Sequence, residues 1–291
     1  MTDIVVIGGG TAGLTAAIYA RRAGKSVLII EGESIGGQIA FSPKVENYPG
    51  IMSISGAEFT DALLEQALAL GAELTFERVT AIEGLTVVTE DGRHDAGAII
   101  IASGVKHRHL EIENEDVSGV SYCAVCDGAF YKDKTVALVG GGSTALTSAE
   151  LLSGLCKKVY LIHRRDVFRA EASLVERVKA RSNVEFIVPA TVSEIKGKDE
   201  LCGVVLDTPD GSRSLEIEGL FVTVGQIPQN APFSSAVALD SDGYVIAGED
   251  CRTSAPHIYA AGDCRTKTVR QLTTAAADGS VAVMSALADM E

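Results

Sequence analysis

The chain contains the same glycine-rich segment twice, with the second copy 132 residues after the first. Each copy has a short apolar run, a glycine turn, a helical stretch and another apolar run. The runs are Ile4–Ile7 and Val27–Ile30 around the predicted helix Leu14–Ala23, then Thr135–Val139 and Val159–Ile162. Continuous apolar runs of this length are typical of parallel strands that are buried on both faces. The repeat therefore predicts an α/β protein with two βαβ nucleotide-binding units.

The first turn, Gly8-Gly9-Gly10-Thr11-Ala12-Gly13, has the spacing of a dinucleotide-binding turn. The first glycine permits the tight turn, the second lets backbone approach a pyrophosphate, and the third lets the helix pack close to the strand. The helix N-terminus then faces the phosphates, and an acid at the end of the next strand can accept from a ribose hydroxyl. An ordinary glycine turn is the alternative. The predicted binding residues are Gly8, Gly10, Thr11, Ala12, Gly13 and Glu31.

The second turn differs from the first at the end of the following strand. Where the first copy has Glu31, the second has His163, followed by a cluster of arginines. A carboxylate would repel a 2′-phosphate, whereas guanidinium groups bind phosphate in a bidentate manner. The second site is therefore predicted to bind NADP(H), with a solvated basic loop as the alternative. Its predicted residues are Gly140, Gly142, Ser143, Thr144, Ala145, His163, Arg164, Arg165 and Arg169.

Cys123-Ala-Val-Cys126 lies between the two glycine turns and is followed at once by Asp127. A zinc site needs a second pair of ligands at compatible spacing, and the sequence offers none, so no metal is predicted. A redox dithiol needs one sulfur as nucleophile, a second to resolve the mixed disulfide, and a proton donor. Asp127 is a candidate acid/base group, with a helix cap or turn residue as the alternative. The other four cysteines are scattered, and we expect them to be reduced.

The net charge of −14 argues against a nucleic-acid partner, because phosphate binding requires a basic face. No apolar run approaches the ~20 residues of a membrane span, so no membrane association is expected. Asp3 leads directly into the first strand without the basic and apolar regions of a signal peptide, so we expect a cytoplasmic protein. In that reducing compartment a Cys-x-x-Cys pair is typical of catalysis or metal binding.

Together these motifs closely resemble the bacterial-type, low-molecular-weight thioredoxin reductases of the pyridine nucleotide-disulfide oxidoreductases, class II. The resemblance runs from the first strand to the C-terminal helix. It depends on the segments Gly36–Gln38, Val45–Gly50, Ala102–Gly104, Tyr122–Phe130, Gly140–Ala145, His163–Ala170, Ala260–Asp263 and Arg270-Gln271.

The resemblance implies two Rossmann-like (three-layer ββα) domains, with the NADPH domain inserted into a discontinuous FAD domain. The FAD domain would comprise residues 1–108 and 240–291, and the NADPH domain, with the redox-active pair, residues 109–239. FAD would bind at the first turn and NADPH at the second. The residues implied for the flavin pocket beyond the first turn are Gly37, Gln38, Asn47, Gly262, Asp263, Arg270 and Gln271.

The implied activity is thioredoxin-disulfide reduction by a homodimeric flavoprotein. Hydride would pass from NADPH to FAD and electrons then to the Cys123–Cys126 disulfide, followed by dithiol–disulfide exchange with oxidised thioredoxin. By the match of motifs, Cys126 would face the flavin, Cys123 would attack the partner and Asp127 would be the acid/base group.

Three other functions are compatible with parts of the sequence. A ferredoxin-linked flavin thioredoxin reductase would use another electron donor, and a dithiol oxidase of the same fold would pass electrons to oxygen. Neither needs the arginine cluster. A nucleotide-binding redox sensor would show no turnover with any disulfide. The partner could also be a thioredoxin-like disulfide protein in place of thioredoxin.

Overall fold

The computed structural model of the protein describes residues 1–290. Its α-helices are α1 Thr11–Arg22, α2 Gly56–Ala69, α3 Ala124–Asp127, α4 Ser143–Ser153, α5 Ala172–Lys179 and α6 Leu272–Met290. Its strands are β1 Thr2–Ile7, β2 Val27–Glu31, β3 Glu73–Phe76, β4 Val79–Glu83, β5 Thr86–Thr89, β6 Arg93–Ile101, β7 Val105–His107, β8 Val120–Ser121, β9 Thr135–Val139, β10 Lys158–Ile162, β11 Val184–Ile187, β12 Thr191–Lys196, β13 Gly203–Thr208, β14 Gly211–Glu216, β15 Gly219–Val222, β16 Gln226–Pro228 and β17 Ile258–Ala260. Short 3₁₀ helices occur at Gly37–Phe41, Gly128–Tyr131, Ala231–Phe233 and Gly262–Cys264.

The chain forms two compact units. Unit 1 comprises Met1–Lys106 and the C-terminal part from Ile227 onward, and unit 2 is the segment His107–Gln226 between them. The insertion of one α/β unit into another confirms the predicted fold class. Phe233 and Val237, which follow the return of the chain to unit 1, are buried in the core of that unit.

Unit 1 is built around a sheet of order β3-β2-β1-β6-β5-β4, with β17 alongside β6. The strands β1, β2, β3, β6 and β17 run parallel, and β4, β5 and β6 form an antiparallel meander. Side chains alternate across β1, so Val6 packs with Leu14 and Ala282 on the helical side, and Val5 packs with Ile82 on the other. The unit therefore has three layers, with α1, α2 and α6 on one face.

Unit 2 repeats this plan with an all-parallel sheet of order β11-β10-β9-β15-β8. Leu138 of β9 packs on the helical side with Leu146 of α4. Its neighbour Ala137 packs with Val204 and Leu206 of the antiparallel meander β12-β13-β14. The second unit is therefore also a sheet with helices on one face and a small sheet on the other.

The predicted strands of the repeat are present in both units, but the first helix begins earlier than predicted. Gly10 is extended, and the Leu14 N–H donates to the Gly10 carbonyl at 2.9 Å, so α1 starts at Thr11 and not at Leu14. Gly13 consequently lies inside the first turn of the helix. Within residues 1–290, no helix is both long and apolar enough to cross a bilayer.

A buried ion cluster ties α6 to the turn after β17. The Asp278 carboxylate accepts from Arg265 at 2.7 and 2.8 Å, from Lys267 at 2.8 Å and from the Gly262 N–H at 2.9 Å. The charged side chains are 10% exposed or less. Burial alone would raise the pKa of Asp278, but the hydrogen bonds from Arg265 and Lys267 outweigh burial and hold the pKa below its ordinary value.

We expect Asp278→Asn to destabilise unit 1, because it leaves two buried cations without their shared anion. Breaking a buried ion pair costs about 3–5 kcal/mol, which corresponds to a fall in Tm of at least about 6 °C. Glu83→Gln is the control, because it breaks the exposed Arg93–Glu83 pair and should cost at most about 1 kcal/mol. Since folding lowers the pKa of Asp278, the stability that its carboxylate contributes is complete above pH 3.8, its ordinary pKa. That stability is lost as the pH falls through the lower folded-state pKa. Equal Tm values for the two variants would contradict this account.

Candidate functional site

The first glycine turn follows β1, which lies between β2 and β6 at the point where the strand order of the sheet reverses. Ligands of open α/β sheets bind at this position. Gly8 has φ +107°, and a Cβ on it would lie 2.4 Å from the Ala102 carbonyl oxygen. A Cβ on Gly13 would lie 1.9 Å from the Gly8 carbonyl oxygen. For Gly10 the nearest atom is the Gly36 oxygen at 3.7 Å, so its outer side stays open to a ligand.

Glu31 ends β2 and lies beside the same turn. Its Oε2 accepts from the Gly9 N–H at 2.7 Å, and its Oε1 accepts from the Glu33 N–H at 2.8 Å. The structure therefore brings together the glycine turn and the acid that the sequence placed at the end of the second strand.

Asp263 reaches the same end of the sheet from the C-terminal part of the chain. The preceding Gly262 has φ +81°, and a Cβ there would lie 2.8 Å from Cβ of Ala12 in the first turn of α1. The Asp263 Oδ1 atom is buried and has no hydrogen-bond partner among residues 1–290. Burial raises the pKa of this carboxyl group. A buried acceptor without a partner suits a hydroxyl donor from a bound ligand, so the site fits the polyhydroxyl chain of a flavin nucleotide.

Arg270 is held by backbone and by an aromatic ring. Its Nε donates to the Asp263 carbonyl oxygen at 3.3 Å, and its guanidinium lies 4.3 Å from the Tyr244 ring centroid. This contact distance is typical of a cation–π interaction. Although Asp263 and Arg270 lie far from Glu31 in the sequence, both residues lie near the first glycine turn in unit 1.

The remaining flavin-pocket residues predicted from the resemblance lie in loops of unit 1. Gln38 donates through Nε2 to the Val105 carbonyl oxygen. Asn47 donates through Nδ2 to Oε1 of Gln271 at 3.3 Å, which joins two predicted residues that are distant in sequence. Gly37 has φ +60° and open space at its Cβ position.

The second glycine turn follows β9, which lies between β10 and β15 of the second sheet. A Cβ on Gly140 would lie 2.6 Å from the Thr223 carbonyl oxygen, whereas nothing lies within 4 Å of the Cβ position on Gly142. The outer surface of this turn is therefore open, as at the first turn. Helix α4 begins at Ser143, so Ser143, Thr144 and Ala145 form its first turn.

The His163 ring packs against the second glycine turn. A Cβ on Gly141 would lie 2.2 Å from the His163 ring, and the Arg169 N–H donates to the Gly141 carbonyl oxygen at 2.8 Å. Burial, and then the nearby arginines, lower the pKa of His163, while a backbone hydrogen bond to Val167 opposes them. The segment after β10 thus folds back onto the turn. It presents three exposed arginines that form no ion pair with a carboxylate within residues 1–290, namely Arg164, Arg165 and Arg169.

Cys123 and Cys126 form a disulfide with a Cα–Cα distance of 5.3 Å. Cys123 precedes helix α3 and is partly buried, whereas Cys126 lies within the helix and is exposed. The Cys126 N–H lies 3.2 Å from Sγ of Cys123 and donates to it. After reduction, such a donor favours a thiolate at Cys123.

Asp127 is the last residue of the dithiol helix, α3, which begins directly after Cys123 and contains Cys126. Its Oδ2 accepts from the Ser121 hydroxyl at 2.6 Å. Burial raises the pKa of Asp127, and the bond from Ser121 opposes that rise. The side chain makes no capping hydrogen bond to the 3₁₀ helix Gly128–Tyr131 that follows, which favours the acid/base interpretation over the capping one.

Sequence reasoning missed the polar cluster beside the dithiol. Glu115 is buried, accepts from the N–H groups of Leu110 and Glu111, and accepts from the Tyr122 hydroxyl at 2.9 Å. The Tyr122 hydroxyl also lies 2.8 Å from Nδ1 of His109. No sequence motif indicated these contacts, because the residues that make them are brought together only by the path that the chain follows after β7.

The remaining cysteines are free thiols, as expected. Cys156, Cys251 and Cys264 are buried, and burial raises their pKa values to about 11, about 12 and about 11 respectively. Cys202 is exposed. Within residues 1–290, no cluster of three or more His, Cys, Asp or Glu side chains is arranged to hold a metal ion.

Comparison with known proteins identifies relatives along almost the whole chain. The model of the pyridine nucleotide-disulphide oxidoreductase family matches residues 2–279. The thioredoxin reductase of Listeria monocytogenes is 41% identical over 294 residues, which cover 98% of this chain and 92% of the relative. That of Mycolicibacterium smegmatis is 41% identical over 295 residues, which cover 98% and 95%. The crystal structure of thioredoxin reductase from Streptococcus pyogenes aligns with a TM-score of 0.95 at 39% identity, covering 99% of this chain and 98% of that one.

These comparisons confirm the resemblance predicted from the motifs. They support the prediction of a thioredoxin-disulfide reductase and do not support the ferredoxin-linked or oxidase alternatives. The family and the thioredoxin reductase relatives together imply the use of a flavin and a nicotinamide nucleotide.

An added methyl group should lower the Tm at the first glycine turn and leave the Tm nearly unchanged at the second. Gly13→Ala places a Cβ against the Gly8 backbone, and overpacking of this kind costs about 1–3 kcal/mol, so we expect a Tm several degrees lower. Gly142→Ala enters open space at an ordinary φ of −94° and should leave the Tm nearly unchanged. Thermal unfolding of the two variants checks this. A wild-type Tm for Gly13→Ala would show that the helix can shift away from the turn.

Proposed function

The chain belongs to the pyridine nucleotide-disulphide oxidoreductase family, and on that premise we propose that it is an NADPH-dependent thioredoxin-disulfide reductase containing FAD. The observation that carries the proposal is the chain's combination of two open glycine turns with a dithiol and a partly buried acid. The predicted assignment follows: FAD binds within residues 1–108 and 240–291, and NADPH within residues 109–239. Unit 2 contains both the dithiol and the second turn.

The first site has the groups that a flavin dinucleotide requires. The open turn around Gly10 and the N-terminus of α1 suit the pyrophosphate, and Glu31 suits a ribose hydroxyl. Oδ1 of Asp263, which has no hydrogen-bond partner within residues 1–290, would accept from the ribityl end, and Arg270 and Gln271 would lie near the ring system. When bound, the flavin would accept hydride from the nicotinamide nucleotide and supply the electron pair that reopens the disulfide.

The second site favours a phosphorylated nicotinamide nucleotide. Gly142 leaves room for the pyrophosphate at the N-terminus of α4, an eleven-residue helix. Arg164, Arg165 and Arg169 have no carboxylate partner within residues 1–290, so their guanidinium groups can bind a 2′-phosphate without breaking an ion pair. His163 packs under the turn and positions the arginine segment.

Reduction of the partner proceeds by two exchanges of sulfur bonds. The Cys123 thiolate attacks one sulfur of the partner's disulfide, a Cys123–partner bond forms, and the other partner sulfur leaves as a thiolate. Cys126 then attacks Sγ of Cys123, which releases the partner as a dithiol and restores the Cys123–Cys126 disulfide. The N–H of Cys126, which points at Sγ of Cys123, favours the attacking thiolate.

Asp127 supplies and receives the protons of these steps. A carboxyl group whose pKa is raised by burial can hold a proton nearer to neutral pH and give it to a leaving thiolate. Its place directly after Cys126 in α3 puts it on the same helical turn as the dithiol.

The partner, the assembly and the location complete the proposal. Thioredoxin is the proposed partner, because the relatives are named for it, and a thioredoxin-like disulfide protein would meet the same chemistry. The family resemblance favours a homodimer, which light scattering on the purified protein would detect. A redox-active Cys-x-x-Cys pair and free buried thiols favour the cytoplasm.

The double variant Arg164→Ala with Arg165→Ala should lose preference for NADPH. Removing two guanidinium groups from a phosphate should lower kcat/KM for NADPH by at least about tenfold, or about 1.4 kcal/mol, with little change for NADH. Arg181→Ala removes an exposed arginine of the same unit and serves as the control. An unchanged ratio of kcat/KM for NADPH and NADH would place the 2′-phosphate elsewhere.

Cys123→Ser should separate the two halves of the reaction. Bleaching of the flavin band by NADPH should persist, because the nucleotide sites are intact, whereas reduction of oxidised thioredoxin should fall to background. Cys202→Ser, which removes an exposed free thiol, should keep wild-type turnover. Normal thioredoxin reduction by Cys123→Ser would overturn the assignment of the nucleophile.

A further inference from the structure

Ser121 is the side-chain partner of Asp127, and it is fixed from outside the dithiol helix. It is 5% exposed and ends β8. This strand pairs in parallel with β15, with Ser121 opposite Phe221. The backbone of Ser121 is therefore held by the central sheet of unit 2, outside the dithiol helix.

The Ser121 hydroxyl contacts both ends of the dithiol turn. Its Oγ donates to Oδ2 of Asp127 at 2.6 Å and accepts from the Cys123 N–H at 3.1 Å. The Cys123 carbonyl oxygen lies 3.5 Å from Oγ and also accepts the Asp127 N–H at 3.0 Å. One hydroxyl thus connects the residue before α3 with the residue that ends it.

We propose that Ser121 is the positioning residue for Asp127, holding Oδ2 in either protonation state of the carboxyl group while Oδ1 makes no hydrogen bond within residues 1–290. The proposal rests on the acid/base role of Asp127 in the proposed function. A serine hydroxyl has one proton and two lone pairs. When Asp127 is ionised, Ser121 donates to Oδ2. When Oδ2 is protonated, it donates to Oγ, and the serine proton turns to the Cys123 carbonyl oxygen.

This exchange of roles keeps Oδ2 of Asp127, the serine hydroxyl and the Cys123 N–H hydrogen-bonded when the proton is transferred. An unpaired buried donor or acceptor costs more than a hydrogen bond contributes, so a partner that serves both states keeps the carboxyl group in one place throughout the cycle. An alanine at position 121 would leave both Oδ2 of Asp127 and the Cys123 N–H without this partner.

The direction of the effect on titration follows from the groups around Asp127. Burial raises its pKa and the Ser121 bond lowers it, so loss of the hydroxyl must raise the pKa further. Within residues 1–290, the titratable group that interacts with Asp127, besides the two cysteines, is Tyr131 of the following 3₁₀ helix. Burial and then the Asp127 charge raise the pKa of Tyr131, so its hydroxyl remains neutral over the pH range in which Asp127 titrates.

The test is the pH dependence of alkylation of the reduced protein, with its cofactors bound, by iodoacetamide. Alkylation of the peptide containing Cys123 and Cys126 is quantified by mass spectrometry, with exposed Cys202 as the internal control. Ionisation of Asp127 beside Cys126 disfavours a thiolate, so the wild-type profile has an inflection below the thiol titration. Ser121→Ala should move that inflection upward by about one pH unit, Ser121→Thr should restore it, and Asp127→Asn should remove it.

An unshifted inflection in Ser121→Ala would overturn the proposal, as would a threonine variant that behaves like the alanine variant. An inflection that persists in Asp127→Asn would assign it to another group and also overturn the proposal. Failure of the wild-type protein to reduce thioredoxin with NADPH would sink the proposed function instead, and it is read from a separate turnover assay that does not involve Ser121.

Discussion

Close approach of a helix to a strand at the glycine turns is the constraint on which the rest of the molecule depends. The Gly8 carbonyl oxygen stands where a Cβ of Gly13 would be, so α1 can lie against the end of β1 only because residue 13 has no side chain. That contact directs the N-terminus of α1 toward the carboxyl ends of the parallel strands, where the turn is open. The C-terminal part of the chain meets the same helix turn, where Gly262 lies against Ala12.

The same device operates differently in the two units. In unit 1 two acids lie beside the turn. Glu31 accepts from the turn backbone, and Asp263 has an Oδ1 atom without a hydrogen-bond partner within residues 1–290. In unit 2 the segment after β10 folds back, and it places His163 under the turn and exposed arginines beside it. Under the proposed function, the residues at and after the end of the second strand would give the two copies of this scaffold different nucleotide preferences. The dithiol lies in unit 2 ahead of the second copy, at the start of a four-residue helix.

Much of this arrangement could be predicted from the sequence, because strand periodicity and glycine spacing report local geometry. The apolar runs predicted the strands, and the turn motifs predicted the glycine turns that follow β1 and β9. Helix α1 begins before the predicted Leu14, because the last three residues of the glycine-turn motif, Thr11-Ala12-Gly13, are helical. Ser121 and the Asp278 cluster were not predictable, because their partners are brought together by sheet pairing and by α6, and neither leaves a local pattern.

Under the proposed function, electrons from NADPH reach the Cys123–Cys126 disulfide within this chain. The most direct measurement is anaerobic addition of one equivalent of NADPH, or of NADH, to the purified protein, with the flavin absorbance and the free thiols of the dithiol peptide followed together. We expect rapid bleaching with NADPH, much slower bleaching with NADH, and the appearance of thiols at Cys123 and Cys126. A flavin that stays oxidised with NADPH but is reduced by dithionite would contradict it and indicate another electron donor.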